Sequence, residues 1–446
     1  MNTPICDFVR GYRESGALRL HMPGHKGVGP LGFEALDLTE MEGADDLYHP
    51  EGIIAESEAN ASALFGCPTI YSTEGSSHCI RAMVMLLCQY AKQHGCAPLI
   101  AAGRNAHKTF LSAAALVDAD VKWLCPKEPD SYLSCKLSSI EVEVALSSMA
   151  EKPVAVYLTS PDYLGNIPDI RGISEVCHRH GVLLAVDNAH GAYLRFLPES
   201  RHPMDLGADI CCDSAHKTLP VITGGAYLHI SDSAPALLRE QARECLAMFG
   251  STSPSYLILQ SLDAANRYLA EGYRERLSDY VNQVAQTKRK LTSLGYTLRG
   301  DEPLKITIST KSYGYEGTGL AAKLAERGLF CEFADPDFLV LMVTPETGAE
   351  GLRRLEEVLG SVPPLPPIFE TPPEFHLPRR VMSIREAAFA SCEMVPASES
   401  LGRVLARASV GCPPAVPIVC CGEEIGEEAL KCFEYYGIEK CQVVKK

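Results

Sequence analysis

Two lysines of the 446-residue chain stand in the same tetrapeptide, Ala-His-Lys-Thr: Lys108 in the first copy and Lys217 in the second. A lysine amine attacks carbonyl carbon when burial or a cationic neighbour lowers its pKa. Most lysines are instead solvated surface groups, so neither copy identifies a nucleophile by itself. Asp187 ends the apolar run VLLAVD, and in open α/β sheets ligands bind beyond the carboxyl ends of the strands. A carboxylate there can hold a metal, orient a histidine, pair with a ring nitrogen, or only cap the following turn. Gly75-Ser76-Ser77 lead into a helical pattern over 78–94. Their backbone N–H groups and two hydroxyls face a helix N-terminus, which makes an anion site or an ordinary serine cap. His107 precedes the apolar stretch FLSAAALV, a position from which an imidazole can lie over an aromatic ligand.

Jointly these groups meet the demands of pyridoxal phosphate. The phosphate needs the Gly-Ser-Ser cradle, the pyridine nitrogen needs an anion that keeps it protonated, and the aldehyde needs a lysine for the Schiff base. Spacing does not choose between Lys108 and Lys217, although Lys217 lies on the strand system that follows Asp187.

The elements that must position these residues are legible as an alternating pattern. PLIAAG (98–103), PVAVYLTS (153–160) and GVLLAVD (181–187) read as short buried strands, and ADICCDS as another. Helical patterns at 54–64, 78–94, 109–117 and 171–180 lie around them, which predicts an α/β fold with a mostly parallel sheet. GCPTIYSTEGSS reads as an interruption between the first two helices. Residues 1–45 read as a loop-rich arm. Its Gly27, Gly29 and Gly32 form a G-x-G-x-x-G, but Pro23 and Pro30 interrupt both sides, so no dinucleotide loop is expected. The expected organisation is an arm (1–45), a large cofactor domain (46–255), a smaller α/β domain (256–362) and a C-terminal α+β region (363–446). In the smaller domain a long helical stretch runs from after Ser255 to about Leu294. It is followed by strand 304–309, helix 318–327, strands near 329–334 and 338–343, and helix 347–360. The last region follows a proline-rich connector (361–378) and opens with a capping box at Ser383 and Glu386.

Composition excludes some classes. The formal net charge of −15 opposes nucleic-acid binding, which needs clustered cations. No apolar run approaches the roughly 18 residues of a membrane span. The start MNTPICDFVRGYRESG has no signal-peptide character. The 18 cysteines are scattered without a C-x-x-C pair, so reduced thiols in a cytoplasm are expected.

The segments HMPGHKG (21–27), DDLYHPEG (45–52), RNAHKT (104–109), TSPDYLGNIPDI (159–170), DNAHGA (187–192), SAHKTLP (214–220) and STSPSY (251–256) resemble the Orn/Lys/Arg decarboxylases in their short form. These are fold-type I pyridoxal phosphate enzymes, with the aspartate aminotransferase-like fold and without an N-terminal wing domain. The resemblance makes Lys217 the Schiff-base lysine and Asp187 the pyridinium partner. It puts Ser76, Ser77, Ser214 and His216 near the phosphate, His107 and Ala189 on opposite ring faces, and His190 in the cofactor-binding set. It implies a homodimer, or a higher assembly of dimers, in which Ser251 or Thr252 reaches the neighbouring subunit's phosphate.

The implied reaction is α-decarboxylation of a basic amino acid, arginine ahead of lysine and ornithine, to a polyamine-pathway amine. Lys217 or His216 would return a proton to Cα, His107 would contribute from the ring face, and Glu423 would meet the substrate's distal cation. The chain departs from the family at Glu74 (usually Asn), Asn188 (usually Glu), Cys412, Ala415 and Cys421. The first two stand beside intact cofactor ligands; the last three bear on substrate choice. A transaminase or carbon–carbon lyase would use the same cofactor groups, and a non-catalytic cofactor-binding protein would retain them too. A hydrolase with Asp187, His190 and His216 as metal ligands lacks H-E-x-x-H spacing, and no metal is expected.

Overall fold

A computed structural model describes residues 1–127, 131–407 and 414–445. Contacts divide the chain into two compact units, Met1–Cys96 with Leu183–Arg276, and Ala97–Val182 with Leu277–Lys446.

The first unit carries four short strands in the order Thr69–Ser72, Ala226–Ile230, Ile210–Asp213, Leu183–Asp187. All their residues are buried, as expected of strands covered on both faces. Leu183–Asp187 and Ile210–Asp213 run parallel with Asp187 opposite Cys212, so Asp187 and Asp213 end at the same edge. Ala226–Ile230 runs antiparallel to both of its neighbours. The expected interruption at GCPTIYSTEGSS therefore contains an edge strand. Its β-branched and aromatic TIYS is too short to show a period.

The 19-residue helix Gly75–Gln93 follows that strand directly. Gly75 has φ +73 with no atom within 4 Å of a built Cβ, and its N–H donates to the Gly224 carbonyl at 2.7 Å. Gly224, at φ +103, brings the two loops so close that a Cβ would meet the Thr73 carbonyl oxygen at 2.8 Å. The glycine pair at 224–225 is thus a close-approach device that sets the turn before Ser76.

In the second unit, strands Asp120–Leu124, Leu99–Gly103 and Ala155–Thr159 lie in that order and all run parallel. Helices Lys108–Val117, Ser139–Ser148 and Ile170–Arg179 follow them, started by His107, Ser138 and Asp169 side chains that accept backbone N–H groups. A four-stranded antiparallel sheet comprises Phe333–Ala334, Phe338–Met342, Lys305–Ser309 and Thr297–Arg299, and a three-stranded one Cys392–Pro396, Lys440–Val444 and Leu405–Arg407. The capping box at Ser383 and Glu386 is formed and opens helix Ile384–Phe389.

Other expectations are corrected. The arm contains a helix, Pro4–Glu14, which opens on a proline in its first turn, a position that tolerates the missing N–H. The helical stretch expected after Ser255 consists of two helices, Tyr256–Ala270 and Tyr273–Ser293, because Gly272 takes φ +72 and ends the first. The strand near 329–334 shrinks to Phe333–Ala334. Cys412 lies outside the described residues. Every described cysteine is a free thiol. No helix among the described residues is long and apolar enough to cross a membrane.

Substituting Gly224→Ala forces a side chain into the left-handed region and against the Thr73 carbonyl. The expected loss of stability is about 1–3 kcal/mol, read as a lower denaturant midpoint, with weaker cofactor retention because the turn before Ser76 shifts.

Candidate active site

At the shared strand edge of the first unit, Asp213 is fully buried. One of its oxygens accepts from His202 Nε2 at 3.0 Å and His229 Nε2 at 3.1 Å, and the other from Asn188 Nδ2 at 2.6 Å. The proton positions follow from the outer partners. His202 Nδ1 accepts the Met204 N–H, so its Nε2 carries the proton. The Thr69 hydroxyl donates to the Cys67 carbonyl at 3.0 Å, so His229 Nδ1, 2.9 Å from that hydroxyl, must donate to it. His229 is then an imidazolium paired with the Asp213 carboxylate. Burial alone would raise the Asp213 carboxyl, but the attraction and hydrogen bonds of the His202 and His229 rings outweigh it and hold it well below the usual range. Burial pushes His229 down, and the Asp213 carboxylate more than reverses this. The ligand atoms of His202, Cys211 and Asp213 lie within 4.8 Å of one another, a closeness these hydrogen bonds account for.

This network anchors the segments around it. Asn188 immediately follows Asp187, and its N–H donates to the Cys212 carbonyl at 2.9 Å. Asp187 is buried, with one carboxylate oxygen accepting the Ala189 N–H at 3.2 Å. Gly191 is required because a Cβ there would strike Asn188 Oδ1 at 1.9 Å. Ser214 immediately follows Asp213 and donates its hydroxyl to Ser76 Oγ at 2.7 Å. That bond brings Ser76 and the segment before Lys217 together. Ser77 is half-buried in the same first turn.

Lys217 lies in the short helix Ala215–Thr218, half-buried, with Nζ 3.0 Å from His190 Nε2. His216 Nδ1 donates to the Gly225 carbonyl at 3.0 Å. Burial and the adjacent Lys217 hold His216 below its ordinary pKa despite that bond. Ser251 and Thr252 are exposed; the Ser251 N–H donates to Glu74 Oε1 at 2.6 Å.

The remaining two residues belong to the second unit. His107 is the cap of helix Lys108–Val117, its Nδ1 accepting the Thr109 N–H at 3.1 Å. The twin tetrapeptide thus opens a helix in both copies. Glu423 is buried, paired with Arg104 Nη2 at 3.0 Å and accepting the Cys420 N–H at 2.6 Å. Its charge is already neutralised by Arg104, which sequence reasoning passed over. It also passed over Asp213, His202 and His229. Asp213 carried a usable signal, since ICCD ends in a carboxylate just as LLAVD does.

The family model "Orn/Lys/Arg decarboxylase, major domain" matches residues 3–300. The chain belongs to the Orn/Lys/Arg decarboxylase family. An uncharacterised protein of Bacillus subtilis, YaaO, is 30% identical over 97% of this chain and 93% of its own length. The arginine decarboxylase of the same organism is 30% identical over 96% and 92%. Among solved structures, the lysine decarboxylase LdcF of Francisella novicida superposes with a TM-score of 0.81 at 19% identity, covering 99% of this chain and 81% of that one. This decarboxylase is therefore an α/β enzyme of pyridoxal phosphate fold-type I.

The residues present fit that cofactor. Gly75 leaves open space at a helix N-terminus where Ser76 and Ser214 converge, which suits a phosphate. Asp187 supplies a buried strand-end anion and Lys217 an amine held beside an imidazole. Two carboxylates at one edge take different roles, because Asp213 is enclosed by its own donors.

Asp213→Asn leaves the buried His229 charge without its anion, and should cost about 3–5 kcal/mol. Asp213 contributes stability above its unfolded pKa, lost as pH falls through the depressed folded value. His229 contributes below its unfolded pKa, lost as pH rises through the raised one. The gap between wild type and variant should therefore be widest between about pH 4 and 6.5, measured by urea denaturation across pH.

Proposed function

We propose that this decarboxylase removes the α-carboxylate of arginine, ahead of lysine and ornithine, and releases a polyamine-pathway amine. The supporting observation is the constellation on one unit: Ser76 joined to Ser214, Asp187 at the strand end, and Lys217 beside His190. Bound pyridoxal phosphate supplies the electron-accepting ring that makes loss of carbon dioxide possible. The protein's own groups do the rest. Ser76, Ser77 and Ser214 would bind phosphate oxygens, Asp187 would keep a proton on the ring nitrogen, and Lys217 would hold the aldehyde.

The proton returned to Cα comes from Lys217. A neutral His216 carries its only ring proton on Nδ1, and that proton is directed at the Gly225 carbonyl. Lys217 has an exchange partner in His190 at 3.0 Å. The arginine preference rests on the name of the Bacillus subtilis relative. Glu423 serves the substrate's cation only by sharing or leaving Arg104.

The working form is a homodimer, with Ser251 or Thr252 reaching the partner's phosphate. Its support is the arm, where Leu18, Leu20, Met22, Val28 and Leu31 are 68–84% exposed, apolar side chains that a second subunit would cover. The free thiols agree with a reducing cytoplasm.

Incubation with each basic amino acid should give agmatine fastest, and cadaverine or putrescine more slowly; transamination without carbon dioxide release on all three would overturn the reading. Lys217→Ala should lower kcat by at least about 10²–10⁴-fold and abolish borohydride fixation of the cofactor, read by mass spectrometry. Size-exclusion chromatography with light scattering tests the dimer.

A further inference from the structure

The turn that carries Ser76 and Ser77 is held from behind by a buried histidine. His78 is the fourth residue of helix Gly75–Gln93 and is 1% exposed. A core-facing helix position is ordinarily apolar, and a buried imidazole is tolerated only when its nitrogens are partnered. Both are. Nε2 lies 2.7 Å from the Leu246 carbonyl oxygen and Nδ1 2.8 Å from the Ser72 hydroxyl oxygen. Burial pushes this ring below its ordinary pKa, against the pull of that carbonyl and of Glu74.

The partners fix the protons. A carbonyl only accepts, so the neutral ring carries its proton on Nε2, and Nδ1 accepts from Ser72. Ser72 is fully buried and its hydroxyl has one proton. The 2.8 Å contact with His78 takes that proton in preference to the Gly75 carbonyl at 3.5 Å. The lone pairs of Ser72 are thereby left to the Glu74 N–H at 3.2 Å. Gly75 follows with its N–H on the Gly224 carbonyl, and Ser76 with its hydroxyl accepting from Ser214. On its other side His78 serves the end of helix Ala236–Ala247, whose Leu246 carbonyl also accepts the Phe249 and Gly250 N–H groups at 3.0 Å. Gly250 has no room for a side chain, since a Cβ would strike the Tyr48 hydroxyl and the His78 ring. The imidazole is a strut between a helix end and the turn before Ser76.

We propose that His78 is a positioning residue for the phosphate group of the cofactor: by directing the Ser72 hydroxyl it sets the Glu74–Gly75 turn from which Ser76 and Ser77 face the phosphate. This role rests on the reading of Ser76, Ser77 and Ser214 as phosphate-binding groups.

The test titrates the full-length protein, freed of cofactor, with pyridoxal phosphate and with pyridoxal, which has the ring and the aldehyde but no phosphate. The readout is the ratio of the two dissociation constants. His78→Gln leaves an amide donor for Leu246 but no acceptor for Ser72, and Ser72→Ala removes the hydroxyl itself. Each should lower the advantage of the phosphate by at least about fivefold. The double variant should lose no more than the larger single effect, because the two side chains act as a unit. His78→Asn, whose Oδ1 stands where Nδ1 was, should stay within about twofold of wild type although it loses the Leu246 bond. A loss in His78→Asn as large as in His78→Gln would trace the effect to Leu246 and overturn the proposal. Losses shared equally by both ligands would mark a purely structural histidine and overturn it too. So would an unchanged ratio in His78→Gln and Ser72→Ala where Ser76→Ala lowers it. An unchanged ratio in Ser76→Ala as well would sink the phosphate reading itself, and this role with it.

Discussion

The strand edge of the first unit that carries Asp187 depends on one buried anion. Asp213 collects donors from His202, His229 and Asn188, three residues that come from a loop, an adjacent strand and the turn after a neighbouring strand. A carboxylate in this environment is tolerated only because it is paired and its lone pairs are filled. In exchange it ties two strand ends together. The turn after Asp187 cannot move without breaking the Asn188 bond, and the segment leading to Lys217 begins at the residue after Asp213. The hydroxyl bridge from Ser214 to Ser76 extends the same rigid frame to the helix N-terminus. Pre-organisation of this kind keeps binding groups within the small tolerances that positioning requires.

That frame gives the Asn188 departure a physical meaning. Asn188 Nδ2 points at the second Asp213 oxygen at 2.6 Å. The glutamate usual in the family would bring a second carboxylate to this neighbourhood. With one anion and one imidazolium already enclosed, an amide donor keeps the charge count of the buried cluster at balance, whereas another anion needs a further proton or cation. Glu74, the other departure beside the cradle, meets a backbone donor on Ser251, so its charge is directed at the exposed turn that carries Ser251 and Thr252.

Legibility in the sequence followed the locality of the cause. Asp187, Ser76 and Lys217 stood out because strand ends, a helix start and a reactive side chain leave short signatures. The parallel strands were legible as apolar runs, whereas the edge strand Thr69–Ser72 was not, since four residues carry no period. The break at Gly272 was missed because an isolated glycine in a helical pattern is compatible with continuation. Pairings across long separations were invisible: Glu423 with Arg104 lies 319 residues apart, and Asp213 with His202 and His229 needed the strand order. The Ala-His-Lys-Thr twin shows the opposite limit. Both copies start a helix, yet the first contributes a capping histidine and the second a lysine facing His190, a distinction set by the surrounding strands alone.

The hydrogen-bond inventory also orders the proton-handling groups. A residue returning a proton must have one not already committed. His216 fails this when neutral, because its Nδ1 proton serves the Gly225 carbonyl and burial opposes a second. Its task is to hold the loop at Gly225, close to Gly224, whose near contact with Thr73 shapes the turn before Ser76. Lys217 meets the requirement when protonated, since an ammonium keeps N–H groups beyond the one directed at His190 Nε2; a neutral amine can regain its proton through the same contact. A single 3.0 Å contact between two titratable groups with reversible roles lets a proton pass between Lys217 and His190, which is what the proposed role of Lys217 needs. The neighbouring histidine of the tetrapeptide then acts through geometry instead of charge.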